Sequence, residues 1–474
     1  MRVLVQFRSS PAVHAATLRG EVMPPFAAAT AAPIPGLIID PAFTPVQVPT
    51  PQADEPGGSP YRYSPAVSLS MAPEQATYLV RGSLPDDPDG QRAALAEATA
   101  RPEVVGVFSD PVIESCLVCP GGPAVGTDQD VAARLGVKAL ADAGMDGYRV
   151  PVAIVDTGVN LAHLESKGRN PRFSRQRSWT PAGVATRPGQ HPVGHGTMCA
   201  YDVGIAAPKA TLLDHALLLS ETPGETSMSG LLSDAVLSFS RLLGTVRAMP
   251  AGRRALVVNN SWGMFSPTWD FPVGHPGNYS DNPAHPFNVI VASLEAAGAD
   301  ILFAAGNCGR DCPDGRCRFG SARPICGANS HPSVLSVAGV DTRRRRVGYS
   351  SQGPGRLDPA KPDLSAYTHF KGSGVYPADG GTSAACPVAA GVVASVREKY
   401  PSSVLSPAEL RALLFKTAED LGGTGFDHDF GWGVIDAQRL AATLGGVKRS
   451  RRSSRARRGT GNPGGVPRSV GSRR

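Results

Sequence analysis

The sequence predicts an α/β protein: a parallel β-sheet with helices on both faces, preceded by a small α/β module. Three observations predict it. Beyond residue 150, short apolar runs such as VPVAIV, RALVV and ILFAA alternate with longer helix-forming stretches such as GLLSDAVLSFSRLLGTV. Strands that are apolar without alternation belong to sheets covered on both sides. Near the N-terminus, TYLVRGSL, DDPDGQRAALAEATAR and EVVGVFSD read as strand, helix and strand. Finally, 474 residues at 41% hydrophobic content are enough for one large core and an accessory unit.

Taken in order, MRVLVQF is a short strand, and a Pro/Ala-rich stretch from about Ala15 to Pro65 is expected to be linker or poorly ordered. The strand, helix and strand unit closes an N-terminal region at 115. Gly and Pro from Cys116 to Thr127 make a linker, so the boundaries are 1–115, linker 116–129, main domain 130–445 and tail 446–474. In the main domain VPVAIVDTG is a buried strand, GLLSDAVLSFSRLLGTV a helix and RALVVNNSWG a strand. NVIVASLEAAGAD is a helix, followed by the strands ILFAAGN and VLSVAGV. No repeat of 20 to 50 residues interrupts this order.

The formal net charge is +7, yet Val447–Arg474 alone carries ten Lys or Arg and no acid. The basic character therefore belongs to the tail, and the remainder is mildly acidic. A tail without aromatic or large apolar residues is expected to be disordered and solvated; an electrostatic arm for nucleic acid or an anionic surface is the alternative. The first twenty residues lack the apolar segment of a signal peptide, which reads as cytoplasmic by default. Four of the eight cysteines, Cys308, Cys312, Cys317 and Cys326, fall in CGRDCPDGRCRFGSARPIC, a cluster suited to two disulfides or a metal. Their spacing is not that of common zinc modules, and disulfides would favour a secreted protein. Compartment stays open.

Chemistry is concentrated in four short motifs. In GGTSAACPVAAGVVASV, Ser383 stands at the mouth of a long uncharged stretch. Pro387 is tolerated in a first turn, so a buried helix is expected to begin near Ser383 and to direct free N–H groups at it. The stretch is too short and too rich in Ala and Gly for a membrane span. VAIVDTG puts Asp156 at a strand's carboxyl end, where open α/β sheets gather their chemistry. No second DTG or DSG occurs, which disfavours a paired-carboxylate mechanism. VGHGTMCA places His195 between two glycines, alone among the ten histidines. ILFAAGNCG places Asn307 at another strand end, where its amide can serve an oxyanion.

In the order Asp156, His195, Asn307, Ser383, with DTG, HGT, AAGN and GTSxAxP around them, the sequence resembles the subtilisin-like serine proteases, the subtilase or S8 family. The resemblance covers roughly residues 130–443 and includes GIAAPKATL, NNSWG, HPSVLSVAGVD and FGWGVIDAQRLA. It implies a subtilisin-like parallel sheet and a serine endopeptidase working through an acyl-enzyme on a protein or peptide substrate. Asp156 would orient His195, His195 would take the proton of Ser383, and Asn307 would hold the oxyanion. Ser261, Trp262 and Gly263 would pair with extended substrate, and Ala304, Ala305 and Gly306 would wall the primary pocket. Trp262 reads equally well as a core aromatic. The N-terminal module resembles an inhibitory propeptide, which implies a zymogen that cuts itself between about Cys116 and Thr127. No cofactor is implied; relatives often bind calcium, but no Asp-rich loop marks a site here. Met198, Cys199 and Cys386 depart from the family's usual residues, and the two cysteines read as small buried hydrophobes. A non-catalytic binding module is the competing class, disfavoured by four intact motifs.

Overall fold

The computed structural model describes residues 1–8, 33–48, 77–115, 122–221, 228–317 and 323–445. The basic tail, most of the Pro/Ala-rich stretch and Cys116 and Cys119 lie outside these residues.

The N-terminal module is a five-stranded antiparallel sheet of β1 (Arg2–Arg8), β2 (Ile38–Ile39), β3 (Val46–Val48), β4 (Thr77–Ser83) and β5 (Val104–Ser109). Its helix, Pro88–Ala100, starts on an Asp87 side chain that accepts the Gly90 N–H. The strand, helix and strand reading holds, and one expectation is corrected. Residues 33–48, in the stretch expected to be linker or poorly ordered, supply β2 and β3 and bury Ile34, Phe43, Val46 and Val48. Their few apolar residues gain partners only from β4 and the helices nearby, so the Pro-rich composition masked them. Beyond β5, a short strand β6 (Val112–Ser115) leaves the module altogether.

The main domain carries a seven-stranded sheet, parallel at every pairing. Its strands are β7 (Pro151–Val155), β8 (Arg172–Phe173), β9 (Thr211–His215), β11 (Leu256–Asn260), β13 (Ala299–Ala304), β14 (Leu335–Val340) and β15 (Leu364–Tyr367), in the spatial order β15-β14-β13-β11-β7-β9-β8. Two further strands, β10 (Ser229–Leu231) and β12 (Trp262–Gly263), lie outside that sheet.

Alternate residues of the central strands feed two separate cores. Val152, Ile154, Val257, Leu302 and Ala304 face the His195–Ala206 and Thr382–Arg397 helices. Ala153, Val155, Val258, Ile301 and Phe303 face the Leu232–Arg247 and Pro286–Ala296 helices. This is the doubly covered sheet that the apolar strands require. The Ser383 helix lies close against the His195 helix because Gly391 has no side chain: a Cβ there would sit 2.4 Å from the Val203 carbonyl. Ser395 Oγ bonds the Ala206 carbonyl at 2.8 Å across the same contact. Among the described residues, no helix is long and apolar enough to cross a membrane.

Candidate active site

Asp156, Ser261 and Asn307 each follow the carboxyl end of a parallel strand, β7, β11 and β13 respectively. The sheet thus presents them on one edge, and two helices bring the remaining groups to it. The first is His195–Ala206, entered at His195. Gly196 lets its first turn press on β7, since a Cβ there would be 2.6 Å from the Gly158 carbonyl and 3.1 Å from Asp156 Cβ. Its N–H donates to Thr157 Oγ1 at 2.9 Å. The imidazole then lies with Nδ1 2.8 Å from Asp156 Oδ1, both side chains buried. A carboxylate only accepts, so Nδ1 carries the hydrogen and Nε2 keeps its lone pair.

The second helix, Thr382–Arg397, holds Ser383 in its first turn. Pro387 falls deeper than expected, as the sixth helical residue rather than within the first turn. Proline there removes the donor that would bond the Ser383 carbonyl four residues back. Two side chains replace it: Ser261 Oγ donates to that carbonyl at 3.0 Å and Cys199 Sγ at 3.5 Å. The Ser383 hydroxyl itself donates to the Ser261 carbonyl at 3.3 Å. His195 Nε2 is buried and makes no hydrogen bond to the described residues. In this resting geometry the serine proton is therefore held on β11's end and not on the imidazole.

Asn307 caps the Ser383 helix. Its Oδ1 accepts from Thr382 N–H at 2.9 Å and Thr382 Oγ1 at 3.0 Å. That fixes the amide's orientation. The following loop is closed by a Cys308–Cys317 disulfide, and Cys312 is also disulfide-bonded. Cys326, expected within the paired cluster, is a free, buried thiol whose Sγ lies 3.9 Å from the Met264 carbonyl. Cys199 and Cys386 are likewise free and buried.

The expected pocket residues fall into two groups. Gly263, Ala305 and Gly306 line a small pocket together with Phe265, Cys308 and Cys326. Ala304 is in the core instead and offers only its carbonyl, which accepts from Asn329 Nδ2 at 2.9 Å. Trp262 resolves to the core: its ring is fully buried against Phe287 and Phe303, and only its backbone faces the groove. Asp156, His195 and Cys199 bring a carboxylate, an imidazole nitrogen and a thiol within 4.8 Å of one another. They do not suit a metal. Burial, reinforced by Asp156, pushes the Cys199 thiol far up, away from the thiolate a metal needs, and Nδ1 is already spent on Asp156.

The groove is occupied by the chain itself. β6 runs antiparallel between β10 and β12, pairing Ser115 with Trp262, Glu114 with Gly263 and Ile113 with Gly230. Sequence reasoning missed this strand, because VIES carries no periodicity of its own. Ile113 is buried in the core, and the chain leading into β6 is anchored by polar contacts. Ser109 Oγ bonds Asp270 at 2.7 Å, the Ser109 carbonyl accepts from His285, and Asp110 accepts the Ser233 N–H at 2.7 Å. Arg81 reaches Asp234 at 3.1 Å.

With that geometry in place, comparison with known sequences decides the family, for the subtilase family profile matches residues 147–433. The chain belongs to the subtilase family. It is similar to subtilisin DY of Bacillus licheniformis, 28% identical over 303 residues covering 63% of this chain and 93% of that protein. It is similar to subtilisin E of Bacillus subtilis (strain 168), 26% identical over 310 residues, 65% of this chain and 70% of that one. With fervidolysin of Fervidobacterium pennivorans it shares 27% identity over 329 residues, 64% of this chain but only 42% of fervidolysin's length. Subtilase membership makes the chain a serine-type endopeptidase by class, and the parallel seven-stranded sheet is the subtilisin-like α/β fold.

One feature of this subtilase affects stability. Two turns along the His195 helix, Asp202 is fully buried beside Asp379. Burial, and then the Asp379 charge, hold the Asp202 carboxyl far above its ordinary range; burial also lifts Asp379 to about 6. Carboxyls that bind protons more tightly when folded lose stability as pH rises from about 4 through the folded values. Asp202→Asn is expected to remove most of that loss and to gain about 1–3 kcal/mol at pH 8. At pH 4 the gain should be small. Thermal unfolding across this range, on the Ser383→Ala chain so that self-cleavage does not intervene, checks it. Equal effects at both pH values would show that the pair is not proton-linked.

Proposed function

We propose that the chain is a serine endopeptidase made as a self-cleaving zymogen, with Asp156, His195 and Ser383 as catalytic triad and Asn307 as oxyanion donor. The observation that carries the reading is β6, an extended segment of the same chain seated between β10 and β12 as a substrate would be. Asp156 holds the Nδ1 tautomer, so Nε2 is the base. When Ser383 Oγ leaves the Ser261 carbonyl for Nε2, its proton passes to the imidazole as oxygen attacks the peptide carbonyl. The oxyanion meets the Ser383 N–H, in the helix's first turn, and the Asn307 amide. Collapse breaks the C–N bond, His195 returns the proton to the departing amine, and water then hydrolyses the ester by the same route.

The register supports a position for the cut. Ser115 pairs with Trp262; continued by one pair, that antiparallel register would set Cys116 opposite Ser261, whose carbonyl accepts the Ser383 hydroxyl. Cleavage is therefore expected between Cys116 and Leu117. N-terminal sequencing of matured protein should begin at Leu117. A start within Gly121–Thr127 would mean that β6 is not seated in the cleavage register.

A further inference from the structure

The cysteine loop beside the groove contains one side chain that touches the strand lying in it. Arg316 Nη1 is 2.9 Å from Glu114 Oε2, and Nη2 donates to the Ser115 carbonyl at 2.7 Å. The guanidinium is held before any partner arrives. Asp314 takes its Nε at 3.1 Å and Nη2 at 2.7 Å, and the Phe265 ring lies beneath it at 4.3 Å. Asp314 is itself fixed: its N–H donates to the Asn307 carbonyl at 2.8 Å, its carbonyl accepts the Cys317 N–H at 2.9 Å, and Cys317 is tied to Cys308. A planar fork pre-oriented by a carboxylate and a ring loses little freedom when it binds. It can read a backbone carbonyl and a neighbouring side chain together.

We propose that Arg316 is a specificity-determining residue, selecting against a basic side chain and for an acidic one at the third residue before the scissile bond. The inference rests on the protease reading above, in which Cys116 precedes the cut and Glu114 is that third residue. Both partners are about three-quarters buried, with Arg316 25% and Glu114 20% exposed. Solvent therefore weakens the pair only in part. Burial raises the Glu114 carboxyl while Arg316 lowers it, so the attraction is largely offset by desolvation. A lysine there would suffer the same desolvation and meet a fixed cation. Discrimination is therefore sharpest between acid and base, and modest between Glu and Gln.

The test uses the full chain after maturation and three peptides, VIXSALV with Glu, Gln or Lys at X. The wild type should cleave the Glu peptide about 5- to 20-fold faster than the Lys peptide in kcat/KM. Arg316→Glu should invert that ratio, and Arg316→Gln, which keeps a hydrogen-bonding side chain should the charge reversal disturb folding, should bring it near one. The ratio is the readout because lost packing would slow all three peptides together. A Glu-to-Lys ratio that both variants leave at the wild-type value overturns the inference while the protease reading stands. A wild-type chain that cleaves none of the peptides overturns both.

Discussion

Ser383→Ala is expected to leave the chain full length and to lower kcat/KM for peptide hydrolysis by at least about 10⁴-fold. The side chain donates to the Ser261 carbonyl at 3.3 Å. The backbone carbonyl that anchors the helix start to Ser261 and Cys199 is untouched by the substitution. Folding should therefore survive, with the oxyanion donors and the Asp156–His195 pair in place. On the proposed mechanism, what is lost is the atom that forms the ester, and the nearby Cys199 thiol, raised far from ionisation by burial, cannot replace it. Intact mass, N-terminal sequence and labelling by a fluorophosphonate report the three consequences together. Wild-type protein should shorten and label; the variant should do neither. A Ser383→Ala chain that is still shortened at the same junction when purified alone would assign the cut to another protease.

The same geometry explains how much could be read from sequence. The places of Asp156, His195, Asn307 and Ser383 in the fold were legible because strand ends and helix starts have short signatures. The parallel sheet was legible because strands covered on both faces are apolar throughout. What escaped were features whose stability is borrowed. β6 is four residues long and is a strand only because β10 and β12 flank it. β2 and β3 are shorter still and depend on β4. Pro387 reads as a first-turn residue until one sees Ser261 and Cys199 replacing the missing donor. Arg316 offered only a faint signal, a cation next to a cysteine in a loop the cysteines close. Cys326 could not be sorted from its neighbours by spacing, because its thiol's isolation depends on the wall of Met264 and Tyr279 packed nearby.

Asn307→Ala is expected to lower kcat by about 10²- to 10³-fold with little change in KM. On the proposed mechanism two roles meet in this one side chain, and the geometry allows them to be separated. Its Oδ1 caps the Ser383 helix through Thr382, so alanine should also lower stability by about 1 kcal/mol. Asn307→Asp keeps an acceptor at that helix start, where a carboxylate is favoured by the exposed N–H groups. It removes the side chain's donor group. If Asn307 acts on the transition state, the Asp variant should regain the stability lost by the Ala variant and still lose at least the same factor in kcat. Steady-state kinetics on a peptide substrate, alongside thermal unfolding of both variants, decides it. Recovery of kcat in Asn307→Asp would instead make the residue a helix cap whose loss misplaces Ser383, because an acceptor has nothing to offer a developing oxyanion.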